Sequence, residues 1–198
     1  MATDAVREAA NGNSFLNRIR QETGIRIRIL TGQEEARLVA LGVLAANPRA
    51  HGLVADLGGG SLELIHLDPA EIDGVGQRIS LPLGTLRMIE ISNRGGSGLD
   101  RYIDEILGVV EWLSEFDEGP LYIVGGAWRS LGRLEIARVH YPLHLLHGYS
   151  MYADQARNMC RLFAGLSLAS LSRIESVPRD RLETLAPAAR IFGATTSL

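Results

Sequence analysis

The chain has 198 residues, enough at roughly 150 residues per domain for one hydrophobic core without a disulfide or metal staple. Its 20 basic residues are all arginine, which excludes a Walker A phosphate loop and Schiff-base lysine chemistry, and its net charge of -3 supplies no global positive field for nucleic acid. The single cysteine, Cys160, excludes an internal disulfide and a cysteine-cluster zinc site, and it fits a cytoplasmic chain.

Taken in chain order, Asp4 to Arg20 is helix-compatible and interrupted near Asn11-Gly12-Asn13. Ile25-Arg26-Ile27-Arg28-Ile29 alternates at the period of a half-buried strand. Thr31-Gly32-Gln33-Glu34 forms a capping box, so a helix is expected to start there and to end near Asn47-Pro48. Gly52 to Asp56 and Ser61 to Leu67 flank Leu57-Gly58-Gly59-Gly60, a strand, glycine turn and strand that reads as a hairpin. A third strand is expected over Gln77 to Leu81, and Pro82-Leu83-Gly84 leads to a short helix from Thr85 through Ile91.

Asn93 to Gly98 reads as a glycine-rich loop, and Leu99 to Phe116 carries apolar residues at helical spacing. Leu121 to Val124 is a further strand, closed by Gly125-Gly126 and followed by a helix over Ala127 to Ala137. Helices are expected over Tyr152 to Phe163 and Ser167 to Ile174. A last helix begins at Arg181 and frays into Gly193-Ala194-Thr195-Thr196-Ser197. No apolar run reaches the ~18 residues of a membrane span, and no membrane association is expected. The order is α/β.

The strongest chemical signal is Asp56-Leu57-Gly58-Gly59-Gly60-Ser61-Leu62-Glu63. Consecutive glycines let backbone N–H groups converge without Cβ interference, and such a nest binds anions, phosphate above all. Ser61 adds a hydroxyl, and Asp56 and Glu63 set two carboxylates beside the loop, where bound phosphate calls for Mg²⁺ between the charges. The competing reading is a tight turn with surface acids.

Glu34 is engaged by the capping box. Glu35 points about 100° away and is free to face a cleft as a general base. The competing reading for Glu35 is an acid favoured by the helix dipole. Gly125-Gly126 offers a second phosphate or nucleotide contact, or a plain strand-to-helix turn. His140 and His144 have helical spacing and, with His147, are candidates for Zn²⁺, but Pro142 breaks a helix between them and the apolar neighbours point to partly buried structural histidines. Cys160 reads as a buried small residue.

Thr31 to Leu38 and Val54 to Leu64, with Ala2 to Gly12 upstream and Leu81 to Gly84 and Tyr122 to Gly126 downstream, resemble the exopolyphosphatase / guanosine pentaphosphate phosphohydrolase (Ppx/GppA) family. The resemblance covers roughly residues 2–190. It implies an actin-like fold (sugar kinase/Hsp70/actin, ribonuclease H-like), here one lobe with a mixed sheet flanked by helices. It implies Mg²⁺-dependent removal of terminal phosphate from inorganic polyphosphate or guanosine pentaphosphate. By residue match, Glu35 takes the role of the general base, Arg7 binds phosphate, Asp56 and Glu63 hold metal, and Gly58, Gly59, Gly60 and Ser61 form a phosphate loop.

The family's earlier Asp-x-Gly-Ser-Asn-Ser loop has no counterpart here, and the expected final strand is absent. Trp128 and Arg129 stand where many members have small residues. The resemblance therefore implies a single second lobe over 1–198, weakly active or inactive in isolation, with exposed edges that favour self-association as a homodimer. Two other classes share the glycine hairpin: a sugar or acetate kinase lobe, told apart by phosphoryl transfer to a sugar, and an actin-like assembly module, told apart by nucleotide-dependent polymerisation.

Overall fold

The computed structural model describes residues 1–93, 98–115, 119–174 and 179–197, apart from the side chain of residue 180. Four strands, β1 (Gly52–Leu57), β2 (Leu62–Leu67), β3 (Val75–Leu81) and β4 (Leu121–Val124), form a mixed sheet in the order β3-β2-β1-β4. The β1–β2 and β2–β3 pairs are antiparallel, and β1–β4 is parallel. Around it, among the described residues, lie α1 (Asp4–Arg7), α2 (Gly12–Thr23), α3 (Gly32–Ala46), α4 (Thr85–Asn93), α5 (Leu99–Leu107), α6 (Gly126–Arg138), α7 (Ala153–Ala164), α8 (Leu168–Leu171) and α9 (Leu182–Thr195).

The two faces of the sheet follow from the period-2 alternation of its strands. Ala55, Leu57, Leu62 and Leu64 point into the larger core with Trp128, Leu131, Met159, Leu185 and Phe192 of the helical layer. Val54, Ile65 and Leu67 point the other way, onto Ala36 and Ala40 of α3. Asp56 and Glu63 share that second parity, so both carboxylates belong to the face that α3 covers. Their Cα positions are register partners. Val124 continues the row on one side and Ser80 on the other, so Val124, Asp56, Glu63 and Ser80 cross the sheet in line.

The glycine turn is held from outside the hairpin. The N–H groups of Gly84, Thr85, Leu86 and Arg87 donate to the carbonyls of Gly60, Gly58, Gly59 and Gly59, at 2.9–3.3 Å. The opening turn of α4 is thus capped by loop carbonyls rather than by a side chain. A Cβ on Gly84 would collide with the backbone of Gly59 and Gly60, so only glycine permits this approach.

The expected hairpin, the Thr31 capping box and the helices from Thr85, Ala127 and Tyr152 all form near their expected bounds. Three expectations are corrected. Residues 25–29 are not a strand: only Ile29 bridges, in parallel, to Ala2, and Ile25 is exposed, so among the described residues the alternation is not matched by a ladder. Helix α5 stops at Leu107 rather than running to 116. Gly108 ends it, and a 3₁₀ turn over Glu111–Glu115 then buries Leu113. Helix α9 does not fray at Gly193 but continues to Thr195, since Ile191, Phe192 and Thr195 are all buried and Gly193 lies against Cys160. The loop expected over 93–98 lies, at 94–97, outside the described residues.

The histidines correct a fourth expectation. His140, His144 and His147 are exposed, as are Tyr141, Leu143 and Leu145 around them. Cys160 is buried, and burial pushes its thiol up to about 12, out of the reactive range. Among the described residues no helix is long and apolar enough to cross a membrane.

The docking of Gly84 on the loop gives a paired prediction. Gly84→Ala should destabilise the chain by about 1–3 kcal/mol through overpacking. Gly42→Ala, exposed in the interior of α3 with nothing near the added methyl, should stabilise by roughly 0.5–1 kcal/mol. Thermal or urea unfolding of the two variants checks both signs.

Candidate active site

Helix α3 is aimed by its capping box. The Thr31 N–H donates to Glu34 Oε2 at 2.9 Å, and the Glu34 N–H donates to Thr31 Oγ1 at 3.2 Å. The backbone hydrogen bond from Thr31, then Arg28, holds the Glu34 carboxyl below its ordinary range. Glu34 is thereby used in structure, and Glu35 is turned from it toward the sheet. Gly32, at the start of the helix, lies against Ser80, where a Cβ would come within 2.5 Å of the serine Cβ. That closeness brings the first turn of α3 onto the end of β3.

Glu35 Oε2 is buried and accepts no hydrogen bond among the described residues. Its cationic neighbour is Arg7 Nη1 at 3.5 Å, near enough for charge attraction but not a hydrogen bond. Arg7 is held in turn by the Leu30 carbonyl at 2.8 Å and by Asp4 Oδ1 at 3.1 Å. A buried acceptor left open costs about 1–3 kcal/mol, so such an atom points to a site that a proton, water or ligand completes.

Across from Glu35 stand Asp56 and Glu63. Burial, and after it the charge of Glu35, pushes the Asp56 carboxyl up; the Arg129 guanidinium opposes this. Glu63 is nearly inaccessible, and burial pushes its carboxyl up to about 7. Hydrogen bonds from the Ser61 and Ser80 hydroxyls lower it against further upward pressure from Glu35 and Asp56. Ser80 Oγ donates to Glu63 Oε1 at 2.7 Å. Glu35 thus raises both Asp56 and Glu63, and Asp56 adds to Glu63, which makes the cluster a natural seat for positive charge.

No group of three or more His, Cys, Asp or Glu among the described residues is arranged to hold a metal ion by itself. The donor set that is present, the buried Asp56 and Glu63 carboxylates, consists of hard oxygen ligands, the type that Mg²⁺ takes one or two of.

The glycine loop supplies the other half. Its carbonyls are consumed by α4, and Arg87 Nε adds a bond to the Gly60 carbonyl at 3.0 Å. The N–H groups of Gly59, Gly60 and Ser61 donate to no backbone carbonyl among the described residues. The loop therefore has an occupied carbonyl side and an open amide side. Asp4 lies over Gly60: a Cβ there would coincide with its carboxylate.

All the residues singled out from sequence, Arg7, Glu35, Asp56, Gly58, Gly59, Gly60, Ser61 and Glu63, thus form one connected group. Sequence reasoning missed four neighbours: Asp4, Ser80, Arg87 and Arg129. Asp4 was legible as the i−3 partner of Arg7. Ser80 emerges only from strand register. Trp128, beside Arg129, is a core residue whose indole N–H donates to the Ala188 carbonyl at 2.9 Å. Of the second glycine pair, Gly125 (φ +112°) packs on the Leu57 carbonyl and Gly126 faces the Arg181 guanidinium.

Comparison with known proteins supplies the family. The Ppx/GppA phosphatase family matches residues 1–197, and the chain belongs to that family. Exopolyphosphatase 1 of Mycobacterium leprae is 43% identical over 89 residues, 44% of this chain and 25% of that protein. Retrograde regulation protein 2 of Saccharomyces cerevisiae is 29% identical over 175 residues, 80% of this chain and 30% of that protein. The matched stretches are thus a third or less of these relatives' length.

Among solved structures, an exopolyphosphatase from Cytophaga hutchinsonii superposes with a TM-score of 0.80 at 21% identity, over 98% of this chain and 65% of that one. The Aquifex aeolicus PPX-GPPA enzyme gives 0.70 at 23%, over 99% and 66%. These likenesses establish the actin-like α/β fold.

The raised carboxyl of Glu63 makes stability depend on pH with a definite sign. Its folded value, about 7, lies above its ordinary 4.5, so the folded state holds the proton more tightly. The contribution is full below about pH 4.5 and is lost as pH rises through 7. Asp56 acts in the same direction. Without divalent cations, Glu63→Gln should flatten the fall in melting temperature between pH 5 and 8 and melt higher than the parent at pH 8. Thermal melts across that range are the check.

Proposed function

We propose that the chain carries phosphoanhydride hydrolase chemistry, releasing terminal phosphate from inorganic polyphosphate or guanosine pentaphosphate. The carrying observation is the buried, open Oε2 of Glu35, set beside Arg7 and the buried carboxylate row. Family membership supports the same reading.

In this reading the open amides of Gly59, Gly60 and Ser61 take phosphate oxygens, as a nest of N–H groups does. Arg7 supplies the positive charge of the subsite; its fork of donors suits phosphate geometry. Glu35 accepts a proton from the attacking water as its oxygen bonds to the terminal phosphorus; the bond from that phosphorus to the bridging oxygen breaks, giving inorganic phosphate and the shortened chain, which leaves as an anion on that oxygen. Since phosphoryl transfer depends chiefly on positioning and charge stabilisation, the rigid capping of α3 and the clamped loop carry much of the work. Asp56 and Glu63 would hold Mg²⁺ together with substrate oxygens, and the ion supplies charge neutralisation at the transferred group. Ser61 and Ser80 fix the orientation of the Glu63 carboxylate.

The test is phosphate release from long-chain polyphosphate with Mg²⁺, with Glu35→Gln alongside. The substitution keeps shape and removes the base, so release should fall at least about 100-fold while tripolyphosphate binding by calorimetry persists. Equal release by both proteins would overturn the role of Glu35. Unchanged binding in Arg7→Gln would overturn the assignment of the phosphate subsite.

A further inference from the structure

Asp4 has no place in the chemistry above, yet it lies in the middle of it. Its Oδ2 is pressed against Gly60, and its Oδ1 is 3.1 Å from Arg7 Nη2. One carboxylate therefore spans the glycine loop and the guanidinium, the two groups that the proposed phosphate subsite is made of. Only about 16% of its side chain is accessible, so it is not a surface charge. It also adds a negative charge near Glu35, which shares Arg7 with it.

From this geometry we infer that Asp4 is a resident anion of the phosphate subsite, which substrate phosphate has to displace to reach Arg7 and the loop amides. The inference rests on the phosphate-loop reading of Gly58 to Ser61. A carboxylate lying against both a guanidinium and a glycine loop whose N–H groups have no backbone partner occupies surroundings that favour a phosphate oxygen. A phosphate arriving with Asp4 in place meets like charge at contact distance, which is strongly unfavourable.

The structure lets Asp4 leave at small cost. It is carried on α1, a four-residue helix with no buried residue and no side-chain cap. The segment itself is held by the Ala2–Ile29 bridge, by Gly12 packed on the Val6 carbonyl, and through Arg7 by the Leu30 carbonyl and Glu35, so it is the Asp4 side chain that turns away while Arg7 stays. Asp4 is thus a residue that sets affinity and selectivity: it discriminates against weakly charged single phosphates and admits ligands with enough phosphate charge or accompanying cation to replace it.

Two measurements test this on the whole chain. The first is calorimetric titration with inorganic tripolyphosphate without divalent cations, for the parent and Asp4→Asn. Asp4→Asn should bind about tenfold tighter. If the parent binds and Asp4→Asn binds equally or more weakly, Asp4 serves to orient Arg7 and the inference falls, while the phosphate-loop reading stands. If neither protein binds, both fall.

The second measurement reads the contact itself. Gly60→Ala should lower the melting temperature of the parent by the modest cost of turning the Asp4 carboxylate aside, because the new methyl takes its place. It should cost much less in an Asp4→Ala background, where the aspartate Cβ position lies 3.5 Å from the new Cβ. Equal costs in the two backgrounds would show that Asp4 does not rest on the loop, and would overturn the inference whatever the binding result.

Discussion

The site depends on one set of backbone hydrogen bonds. Four consecutive N–H groups at the start of α4 are satisfied by three glycine carbonyls of the hairpin loop. Each partner needs the other. A helix start left without acceptors carries orphan donors, and a glycine loop without a clamp carries the largest conformational entropy of any segment its length. Closing the bonds removes both problems and also polarises the loop. Its carbonyls are used up on the α4 side, so its amides are what remains for an anion. The close approach requires glycine at position 84, where any Cβ would occupy the loop backbone.

A second constraint is electrostatic. The sheet places Asp56 and Glu63 side by side on the face covered by α3, and the helix brings Glu35 to the same place. Buried carboxylates of one sign are unfavourable in isolation. Here they are partly offset by the hydroxyls of Ser61 and Ser80 and by the guanidiniums of Arg7 and Arg129. A structure that keeps such an arrangement holds positive charge in demand at one point. That demand links the fold to phosphate chemistry more directly than the glycines do, because glycine turns also serve hairpins with no ligand.

The chain belongs to the Ppx/GppA phosphatase family, whose solved members share its actin-like α/β fold. Within that frame the first helical segment has a double character. Arg7 reaches the open oxygen of Glu35, while Asp4, one turn earlier, covers the loop. The same short helix therefore sets a cation on the buried acid and an anion on the glycine loop.

Local rules were enough for much of this. The Thr31 capping box, the glycine hairpin and the helix after Thr85 were legible because their determinants lie within a few residues of one another. Glu35 could be separated from Glu34 on the same ground, since the cap engages one and leaves the other. Local rules failed where a partner was decisive. Residues 25–29 alternate like a strand but pair only at Ile29, and α9 runs through Gly193 because its neighbours are buried. The chemistry divides likewise. The residue types at the site were written in the sequence. Strand register alone set Ser80 on Glu63, and the packing of separate segments alone laid Asp4 on Gly60 and Arg129 near Asp56. Burial, which pushes Glu63 to about 7, is a property of the assembled layers. No spacing along a chain encodes it, because the dielectric around a carboxylate is decided by residues far away in sequence.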